Sequence, residues 1–491
     1  MTLDKTIIGK RVIVDGEVAT IKYYGPIEGK TGFYYGVEWD DLTRGKNNGS
    51  FKGKQYFETT LTGGSFLKSV NMGIDFLTAL SEKYAKSDYS DLSYVTEDTN
   101  TLFETIGWEK MKSKLSQLGN LKEISLARLG VSHKGNTDLP CKSIEDADLS
   151  HNLFSVFSEI SGICEDLPNL RILRINYNRF AIDPLNPSTC FTSITVLGLI
   201  GTQLTWDEIT KLSPSFPNLE ELYVGYNGLK FPKKSCNEPE VFAKVKILDL
   251  ENNLLSDWND ITNAIGKFPH LANLSLRNNR IAEVLPPNGN FRSLTTLNLN
   301  GNKLNSWDVI HVLNLYNITQ LRITQNPICE TIDKKSRHQI LTGRLSKLTK
   351  LDGSTVTDMK RQDAECYYLT IASQDHGNPN FSIIHPLYEL LCKKHGEPAA
   401  PMKVIKTVAD SLIQLTLQGQ STEILKKVPK HMKVRALKTI MARSLYGKEW
   451  QSAVRGELFL KVDDDFQKLE DEMKELEYFD VLDGSILRLQ V

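Results

Sequence analysis

A regular spacing of leucine and isoleucine dominates the middle of the chain, from Leu121 to Ile328. Each copy of the pattern begins with an apolar residue and two variable residues, and then has a position that is usually Leu. One variable residue, an apolar residue and two more variable residues follow. The copy ends with a position that is usually Asn, one variable residue and a last apolar residue. Successive copies are separated by roughly 23 to 26 residues, which indicates a stack of similar units. The copies begin at Leu121, Ile144, Leu170, Ile194, Leu219, Val245, Leu271, Leu294 and Ile318.

The pattern predicts one short strand in each copy, because the apolar residues can point into a shared interior while the residues between them point outward. The period is typical of leucine-rich repeats, whose strands stack in parallel into one curved sheet. We therefore predict an α/β solenoid over residues 119–345. Leu129 and Thr202 replace the usual Asn in two copies. The recurring Asn residues, which can hydrogen-bond backbone groups where the chain turns, are Asn152, Asn178, Asn227, Asn253, Asn279, Asn302 and Asn326.

The outward strand positions predict a protein-binding surface on the concave side of the solenoid. Its central part is acidic, and no His, carboxylate and nucleophile come together there by spacing. Each residue taken singly is also consistent with a side chain that only faces water. The expected contact residues are Asp148, Glu221, Tyr223, Asp249, Glu251 and Arg277, and the same face carries Glu123, Asp146, Arg174, Asn176, Asn273, Asn298, Asn300 and Arg322.

The first 70 residues differ in texture, since glycines are dense and aromatic residues are interleaved with them. Short runs of β-forming residues alternate with glycine-rich turns, which predicts a small, strongly bent β-barrel over residues 1–70. Such a barrel has little room for a core, so many of its aromatic side chains must be structural. The predicted strands are Arg11–Val14, Val18–Tyr23, Tyr35–Trp39, Gln55–Phe57 and Ser65–Lys68.

One stretch of this module carries a more specific pattern, Gly-Lys-Asn-Asn-Gly from Gly45 to Gly49. Together with Gly-Val-Glu-Trp from Gly36 and Gly-Ser-Phe-Leu-Lys from Gly64, it resembles the CAP-Gly domain of cytoskeleton-associated proteins. The family's loop has an acidic residue where this chain has Asn48, and its Cys corresponds to Thr59 here. An aromatic residue of the family is also missing near Gly29.

The resemblance implies a binding site for peptides that end in Glu-Glu-Tyr or a similar aromatic residue, as at the tail of α-tubulin. Within the loop that begins at Gly45, Lys46 would supply a charge to a carboxylate and Asn47 an amide donor. Tyr34, Trp39 and Phe66 would form an apolar slot for the terminal ring. An alternative is that Trp39 and Phe66 belong to the core of the barrel.

Helical segments are predicted on both sides of the repeats. Residues 71–118 form a connector and N-terminal helical cap, because apolar residues recur at helical spacing from Ile74 to Tyr84 and again from Trp108 to Leu118. Residues 346–395 resemble the C-terminal cap of intracellular leucine-rich-repeat proteins. A linker rich in Pro and Gly follows at 396–402.

The last segment, residues 403–491, has the pattern β-β-α-β-β. Val434, Leu437, Met441 and Leu445 mark one face of its helix. The order resembles a ubiquitin-like domain with the α+β, or β-grasp, fold. No Gly-Gly pair follows Val491, so conjugation through the C-terminus is not expected. Lysines concentrate in the first part of the segment and acidic residues in the second, which fits either a basic docking face or a solvated helix.

Composition excludes several classes of protein. The formal net charge of −1 over 491 residues does not indicate a nucleic-acid binder, and no apolar run approaches the roughly 20 residues of a membrane span. The start of the chain lacks the apolar core of a signal peptide. The seven cysteines are scattered, which predicts buried reduced thiols and no zinc site. Without a phosphate-binding loop or a Cys–His signature, we predict neither an enzyme nor a bound cofactor or metal.

The order of the three modules resembles the family of tubulin-specific chaperone E, the tubulin-folding cofactor that handles α-tubulin. The resemblance implies a cytoplasmic, cytoskeleton-associated protein that binds α-tubulin and, with other folding cofactors, assembles or dissociates the α/β-tubulin heterodimer. Two other functions remain open on the sequence, a microtubule-binding scaffold and an adaptor that links tubulin to the proteasome. A third alternative is an enzyme, either a nucleotide hydrolase or a component of the ubiquitin pathway, which the missing motifs disfavour.

Overall fold

The structure is a computed structural model that describes residues 5–60, 62–84, 118–136, 141–183, 190–232, 241–330, 332–398, 412–420, 422–462, 465–479 and 481–491. The chain forms two compact units, Met1–Glu397 and Pro398–Val491. The first unit contains the N-terminal module and the repeats, and the second contains the C-terminal module.

The N-terminal module has six strands, and four of them form an antiparallel sheet. In this sheet the first strand pairs with the second, the second with the third, and the third with the sixth. The fourth and fifth strands form a separate two-stranded hairpin. A few side chains on one side of the sheet, including Val12, Ile21, Val37 and Trp39, form its core. The six strands are Arg11–Val14, Glu17–Pro26, Phe33–Trp39, Ser50–Phe51, Lys54–Gln55 and Gly64–Leu67.

The repeats form one sheet of 11 strands, and their strands follow each other in parallel along the sheet. The middle residue of each repeat strand is buried, as Leu222 and Leu248 illustrate, and its two neighbours lie on the outer face. The register predicted from the apolar spacing is therefore confirmed. The strands are Glu123–Ser125, Asp146–Asp148, Ile172–Arg174, Val196–Gly198, Glu221–Tyr223, Ile247–Asp249, Asn273–Ser275, Thr296–Asn298, Gln320–Arg322, Lys350–Leu351 and the antiparallel Ser354–Thr355.

The recurring asparagines connect neighbouring repeats. The amide group of Asn253 donates to the carbonyls of Val224 and Leu250, at 3.2 and 3.0 Å, and its Oδ1 accepts from the backbone N–H groups of Asn227 and Leu229. Each repeat thus satisfies the buried backbone of the repeat before it. Where Asn is replaced by Thr202, the hydroxyl still donates to a backbone carbonyl, and at the other exception Leu129 is exposed.

Helices lie between many of the repeat strands and close the interior on the other side of the sheet. Their starts follow local rules, since Thr205 forms a capping box with Glu208 and Asp257 caps the next helix. Their inward residues, such as Trp258, join the same core as the strand leucines. The helices within the repeats are Phe157–Glu165, Trp206–Lys211, Trp258–Ile265, Asp308–Asn314 and Pro327–Glu330.

Further helices cover the two ends of the repeats. The predicted helix after Ile74 is present at Phe76–Tyr84, whereas the one predicted from Trp108 lies outside the described residues except for a short turn at Leu118–Asn120. The C-terminal cap has a small apolar core around Tyr368 and Tyr388. Its helices are Lys334–Arg344, Asp358–Ala372, Phe381–Ile384 and Tyr388–His395.

The second unit has a five-stranded sheet packed against the helix Val434–Tyr446. Its strand order places the first strand, Leu412–Gln418, in parallel beside the last, Ile486–Gln490. The structure adds a strand, Asp465–Lys468, to the predicted order β-β-α-β-β. The remaining elements are the strands Glu423–Pro429 and Glu457–Val462 and the short helix Trp450–Ala453. With this α+β domain, the multidomain fold predicted from the sequence is confirmed.

The cysteines depart in part from the expectation of buried thiols. Cys141, Cys164 and Cys329 are free and buried, and burial raises the pKa of the Cys164 thiol to about 12. Cys190 and Cys366 are exposed, so the expectation is wrong for these two, which lie outside the repeat core. Among the helices of the described ranges, none is both long enough and apolar enough to cross a membrane.

Candidate functional site

The Gly-Lys-Asn loop is fixed to the last strand of the N-terminal sheet. The backbone N–H groups of Lys46 and Asn47 both donate to the carbonyl of Gly64, at 2.7 and 3.1 Å. The backbone of the loop approaches the segment before this strand so closely that a β-carbon at Gly45 would lie 1.9 Å from the carbonyl oxygen of Thr62. Only glycine fits there, and the contact places the loop beside the strand that carries Phe66.

Asn47 shapes the turn of this loop. Its Oδ1 accepts a hydrogen bond from the N–H of Gly49 at 2.9 Å, and Gly49 has a left-handed backbone with φ of +90°. Its Nδ2 makes no hydrogen bond to any described residue, so this amide group can donate to a bound peptide, which is the role predicted for it. The next residue, Asn48, accepts from the N–H and hydroxyl of Ser50. A neutral amide therefore makes the turn contacts at the place where the CAP-Gly family has an acidic residue.

Four aromatic residues, Phe51, Tyr56, Phe57 and Phe66, meet next to the loop, and we call them the aromatic cluster. The ring of Phe66 is half-buried and lies 6.4, 5.7 and 5.2 Å from those of Phe51, Tyr56 and Phe57, each in an edge-to-face arrangement. This geometry is favourable for aromatic pairs. Phe57 is buried, whereas Phe51, Tyr56 and Phe66 are half-buried and reach the surface.

Lysines border the aromatic cluster. The Nζ atom of Lys30 lies 4.3 Å from the ring centroid of Phe51 and 4.9 Å from that of Tyr34. Lys52 and Lys54 approach Phe51 and Tyr56 at 5.8 and 5.7 Å. The side chain of Lys46 is exposed on the neighbouring loop. Apolar ring surface therefore lies beside several positive charges, which suits a ligand with both an aromatic group and carboxylates.

The structure separates the three aromatic residues that we expected to form the slot. Phe66 lies within the aromatic cluster, and Tyr34 lies beneath Lys30 with 8% of its surface exposed. Trp39 is instead a core residue, 3% exposed, and its indole N–H donates to the Ser65 hydroxyl at 2.9 Å. The guanidinium of Arg44 covers its ring at 4.0 Å. Trp39 thus supports the sheet from inside, which corrects its placement as a slot wall.

Sequence reasoning did not select Phe51, Tyr56, Phe57 or Lys30 as site residues. The hairpin Ser50–Phe51 with Lys54–Gln55 folds the first three of them toward Phe66. The spacing of aromatic residues around Lys52-Gly53-Lys54 was the available signal, because a glycine turn between two aromatic runs brings both onto one hairpin.

The second candidate surface is the outer face of the repeat sheet, which we call the sheet face. Pairing between strands places Arg174, Gly198, Tyr223, Asp249 and Ser275 in one row across it. Asp148 is the neighbour of Arg174 in the same row. This face includes a groove of about 240 Å³ whose wall includes Tyr223 and Asp249. The predicted contact residues of these strands therefore share one surface.

The carboxylates in the middle of the sheet face have few cations near them. Tyr223 donates to Glu221 at 2.7 Å, and burial, with this bond, raises the pKa of Tyr223 to about 12. Burial also raises the pKa of Asp249 and of Glu251, and the proximity of Asp249 raises that of Glu251 further. Arg277 reaches Glu251 only at 3.9 Å. A cation supplied by a binding partner would therefore stabilise the charged carboxylates of Asp249 and Glu251.

An apolar row beside these carboxylates was missed from the sequence. Ile172, Val196 and Ile247 are half-exposed at the other outward position of their strands, in the same row as Glu221. Their neighbour Asp146 forms an ion pair with Arg174. The strand triplets Ile-Leu-Arg, Val-Leu-Gly and Ile-Leu-Asp carried the signal, because an apolar residue before the buried Leu of each must face outward.

One group in the second unit could share a metal ion by distance. Within the described ranges, His431, Glu475 and Glu477 are the three side chains whose ligand atoms lie close enough together. All three are exposed, and Lys430 approaches Glu477 at 3.6 Å. The exposure and the nearby lysine match a surface ion-pair network.

Known proteins match nearly the whole length of the chain. The family described as CAP-Gly domain matches residues 8–72. The chain is 31% identical to tubulin-specific chaperone E of Xenopus laevis over 97% of both proteins, and 29% identical to that of Homo sapiens over 99% of both. It is 30% identical to tubulin-folding cofactor E of Arabidopsis thaliana, over 88% of each chain.

Solved structures match parts of the chain. The C-terminal ubiquitin-like domain of mouse tubulin-specific chaperone E is 19% identical, covers 16% of this chain and 89% of that chain, and gives a TM-score of 0.14. An internalin of Listeria monocytogenes is 16% identical, covers 53% of this chain and 91% of that chain, and gives a TM-score of 0.31.

Proposed function

The chain belongs to the family of tubulin-specific chaperone E, and from that premise we propose which of its surfaces bind which parts of tubulin. It is a tubulin-folding cofactor. In our proposal it binds α-tubulin and, together with other folding cofactors, assembles or dissociates the α/β-tubulin heterodimer. Two surfaces of opposite charge in the first unit support this division of work.

The aromatic cluster with its lysines is the proposed site for the tubulin tail, and this is the observation that carries the proposal. An acidic chain end would place its carboxylates near Lys46, Lys30 and Lys54, and its terminal ring against Phe51 and Phe66. Charge-assisted contacts of this kind are stronger than neutral hydrogen bonds, and the desolvated ring adds apolar contact. Asn47 would add an amide donor from the neighbouring loop.

The sheet face is the proposed site for the folded body of α-tubulin. Its centre is negative at Asp249 and Glu251, so it would repel the acidic tail that the lysines attract. Beside these carboxylates, Ile172, Val196 and Ile247 offer apolar contact. A tubulin segment that combines a basic residue with apolar neighbours would satisfy both features. Tail and body contacts would thus involve different parts of one partner.

The remaining roles follow from the family and the modules. We propose a cytoplasmic, cytoskeleton-associated binding protein without catalysis or a bound cofactor, which would act through its contacts with tubulin and with other folding cofactors. The second unit would dock a further protein. An adaptor that carries tubulin to the proteasome through this unit is the alternative that the same arrangement allows.

The test compares soluble tubulin with the isolated tail. Wild-type protein should bind soluble heterodimer and release separated subunits on a native gel or by size exclusion. Reversing the charges with Asp249→Lys and Glu251→Lys should reduce dimer dissociation, about 30-fold if each of the two lost contacts contributes ~1 kcal/mol, and leave binding of a Glu-Glu-Tyr-ended peptide unchanged. The matched control is Glu283→Lys with Glu330→Lys, which reverses two exposed charges elsewhere on the repeats.

Each outcome distinguishes the candidate functions. Normal dimer dissociation by the charge-reversed protein would show that the sheet face is not the working surface. A wild-type protein that co-sediments with microtubules and leaves soluble dimers intact would be a scaffold, and the chaperone proposal would be wrong.

A further inference from the structure

A network of charged side chains joins the N-terminal module to the repeats. Asp40 accepts hydrogen bonds from Arg11 at 2.7 Å and from Arg179 at 2.9 Å. Arg11 and Asp40 belong to the module, whereas Arg179 lies in the third repeat, 139 residues after Asp40. Arg11 is 4% exposed, and its backbone N–H donates to the hydroxyl of Ser155 at 3.1 Å. The carboxylate of Asp40 is 28% exposed and is shared by two guanidinium groups, of which that of Arg11 is buried, so the link is specific.

The backbones of the two parts also meet at a second place. Gly73 has a left-handed backbone, with φ of +83°, and a β-carbon there would lie 2.3 Å from the carbonyl oxygen of Gly130. The next N–H, of Ile74, donates to that same carbonyl at 2.9 Å. From there Ile74–Asp75 pairs in parallel with Val131–His133 of the first repeats. We call these contacts and the Asp40 network the junction.

The junction is connected to the tail site through one strand. Asp40 directly follows the strand Phe33–Trp39, which carries Tyr34 under Lys30 and Gly36 against the ring of Phe57. On the other side, Arg179 follows Asn178, whose amide donates to the carbonyls of the buried Leu149 and Ile175. Asp40 is thus connected by ordered structure to the aromatic cluster on one side and to the core of the repeats on the other.

We propose that the junction holds the aromatic cluster at a fixed position relative to the sheet face, so that both surfaces grip one tubulin molecule at once. Asp40, Arg179 and Gly73 are then positioning residues for tubulin capture, although none of them contacts tubulin. The inference rests on the proposed function, which assigns the two surfaces to tubulin. The second contact becomes intramolecular after the first, and its effective concentration is highest when the spacing of the two sites is held to match the partner.

The test separates the position of the tail site from its chemistry. The wedge variant combines Gly73→Ala, whose methyl group would collide with Gly130, and Arg179→Ala, which removes one of the two arginines from Asp40. Its matched control combines Gly16→Ala and Arg280→Ala. Gly16 has the same left-handed backbone, with φ of +82° and no atom within 4 Å of a β-carbon, and Arg280 is exposed at the equivalent repeat position after an Asn. Affinities for soluble tubulin and for the Glu-Glu-Tyr-ended peptide are measured by titration calorimetry.

The wedge variant should bind soluble tubulin about tenfold more weakly than the control variant, because its tail site is no longer held in place, and should bind the peptide equally well. Equal tubulin affinities would overturn the inference and leave the proposed function intact. Equal losses for peptide and tubulin would also contradict it, since the effect would then lie within the tail site. If the wild-type protein bound no tubulin, the proposed function itself would be wrong.

Discussion

The ring of Phe57 fills the space that a side chain at Gly36 would need. A β-carbon at Gly36 would lie 2.3 Å from the edge of that ring and 2.9 Å from the β-carbon of Tyr23. The absence of a side chain in the third strand therefore lets Phe57 pack under Phe66, at 5.2 Å between ring centroids. The glycine sets the position of the aromatic cluster.

Gly36→Ala should displace Phe57 and disturb the tail site. We expect a loss of about 1–3 kcal/mol in unfolding free energy of the module, as for overpacked cores, and weaker binding of a Glu-Glu-Tyr-ended peptide. Urea denaturation and calorimetric titration measure the two effects. Gly377→Ala is the control, because no atom lies within 4 Å of its β-carbon and its backbone is not left-handed. If Gly36→Ala matched this control in both measurements, the proposed packing would be incorrect.

Lys46→Ala should weaken peptide binding without changing the fold, because the side chain is exposed and the backbone makes the contacts to Gly64. The loss of one charge-assisted contact is typically about 1.5–3 kcal/mol. Adding Asn47→Ala should cost more and should also loosen the loop, since its Oδ1 bond to Gly49 disappears. Titration calorimetry together with circular dichroism would check both variants. Lys303→Ala removes the same charge from the repeats, and an equal loss of affinity there would make the effect of Lys46 a non-specific one.

Asn253→Ala should destabilise the repeats far more than an ordinary surface change. The side chain is 4% exposed and satisfies backbone groups in its own repeat and in the preceding one. Leaving several buried groups unsatisfied should cost about 3 kcal/mol or more. Asn263→Ala, at an exposed helical position, should change stability by less than about 0.5 kcal/mol. Equal denaturant midpoints for the two variants would contradict the connecting role of the asparagines.

The repeats should lose stability in mild acid at their C-terminal end. Burial, and then the charge of Arg344, lowers the pKa of His311 to about 4, and its Nε2 lies 3.1 Å from the Arg344 guanidinium. Because this pKa is lower in the folded state than the ordinary value of about 6.5, the stabilisation is present above pH 6.5 and is lost as the pH falls toward 4. His311→Gln keeps an acceptor for Arg344 but does not titrate. Its urea midpoint should fall less between pH 6.5 and 4 than that of the wild type, and identical pH slopes would refute the assignment.

Local patterns determined much of this protein. The apolar spacing predicted the register of the repeat sheet, because each strand such as Ile247–Asp249 buries its middle residue in the same way and needs only its neighbours in the stack. The Asn positions followed for the same reason, since they complete the backbone of the adjoining repeat. The glycines at the two ends of the loop, Gly45 and Gly49, are likewise required by close contacts with the backbone of Thr62 and of Phe57.

Tertiary structure alone decided which aromatic residues meet beside the Gly-Lys-Asn loop and how the module meets the repeats. Trp39 and Phe66 are equivalent candidates on composition, yet Trp39 packs inside the sheet while Phe66 meets Phe51 across the hairpin. The contact between Asp40 and Arg179 could not be read from either local pattern, because it joins two independently patterned segments 139 residues apart. Apolar periodicity specifies what each segment buries within itself, whereas contacts between segments depend on the relative placement of folded surfaces.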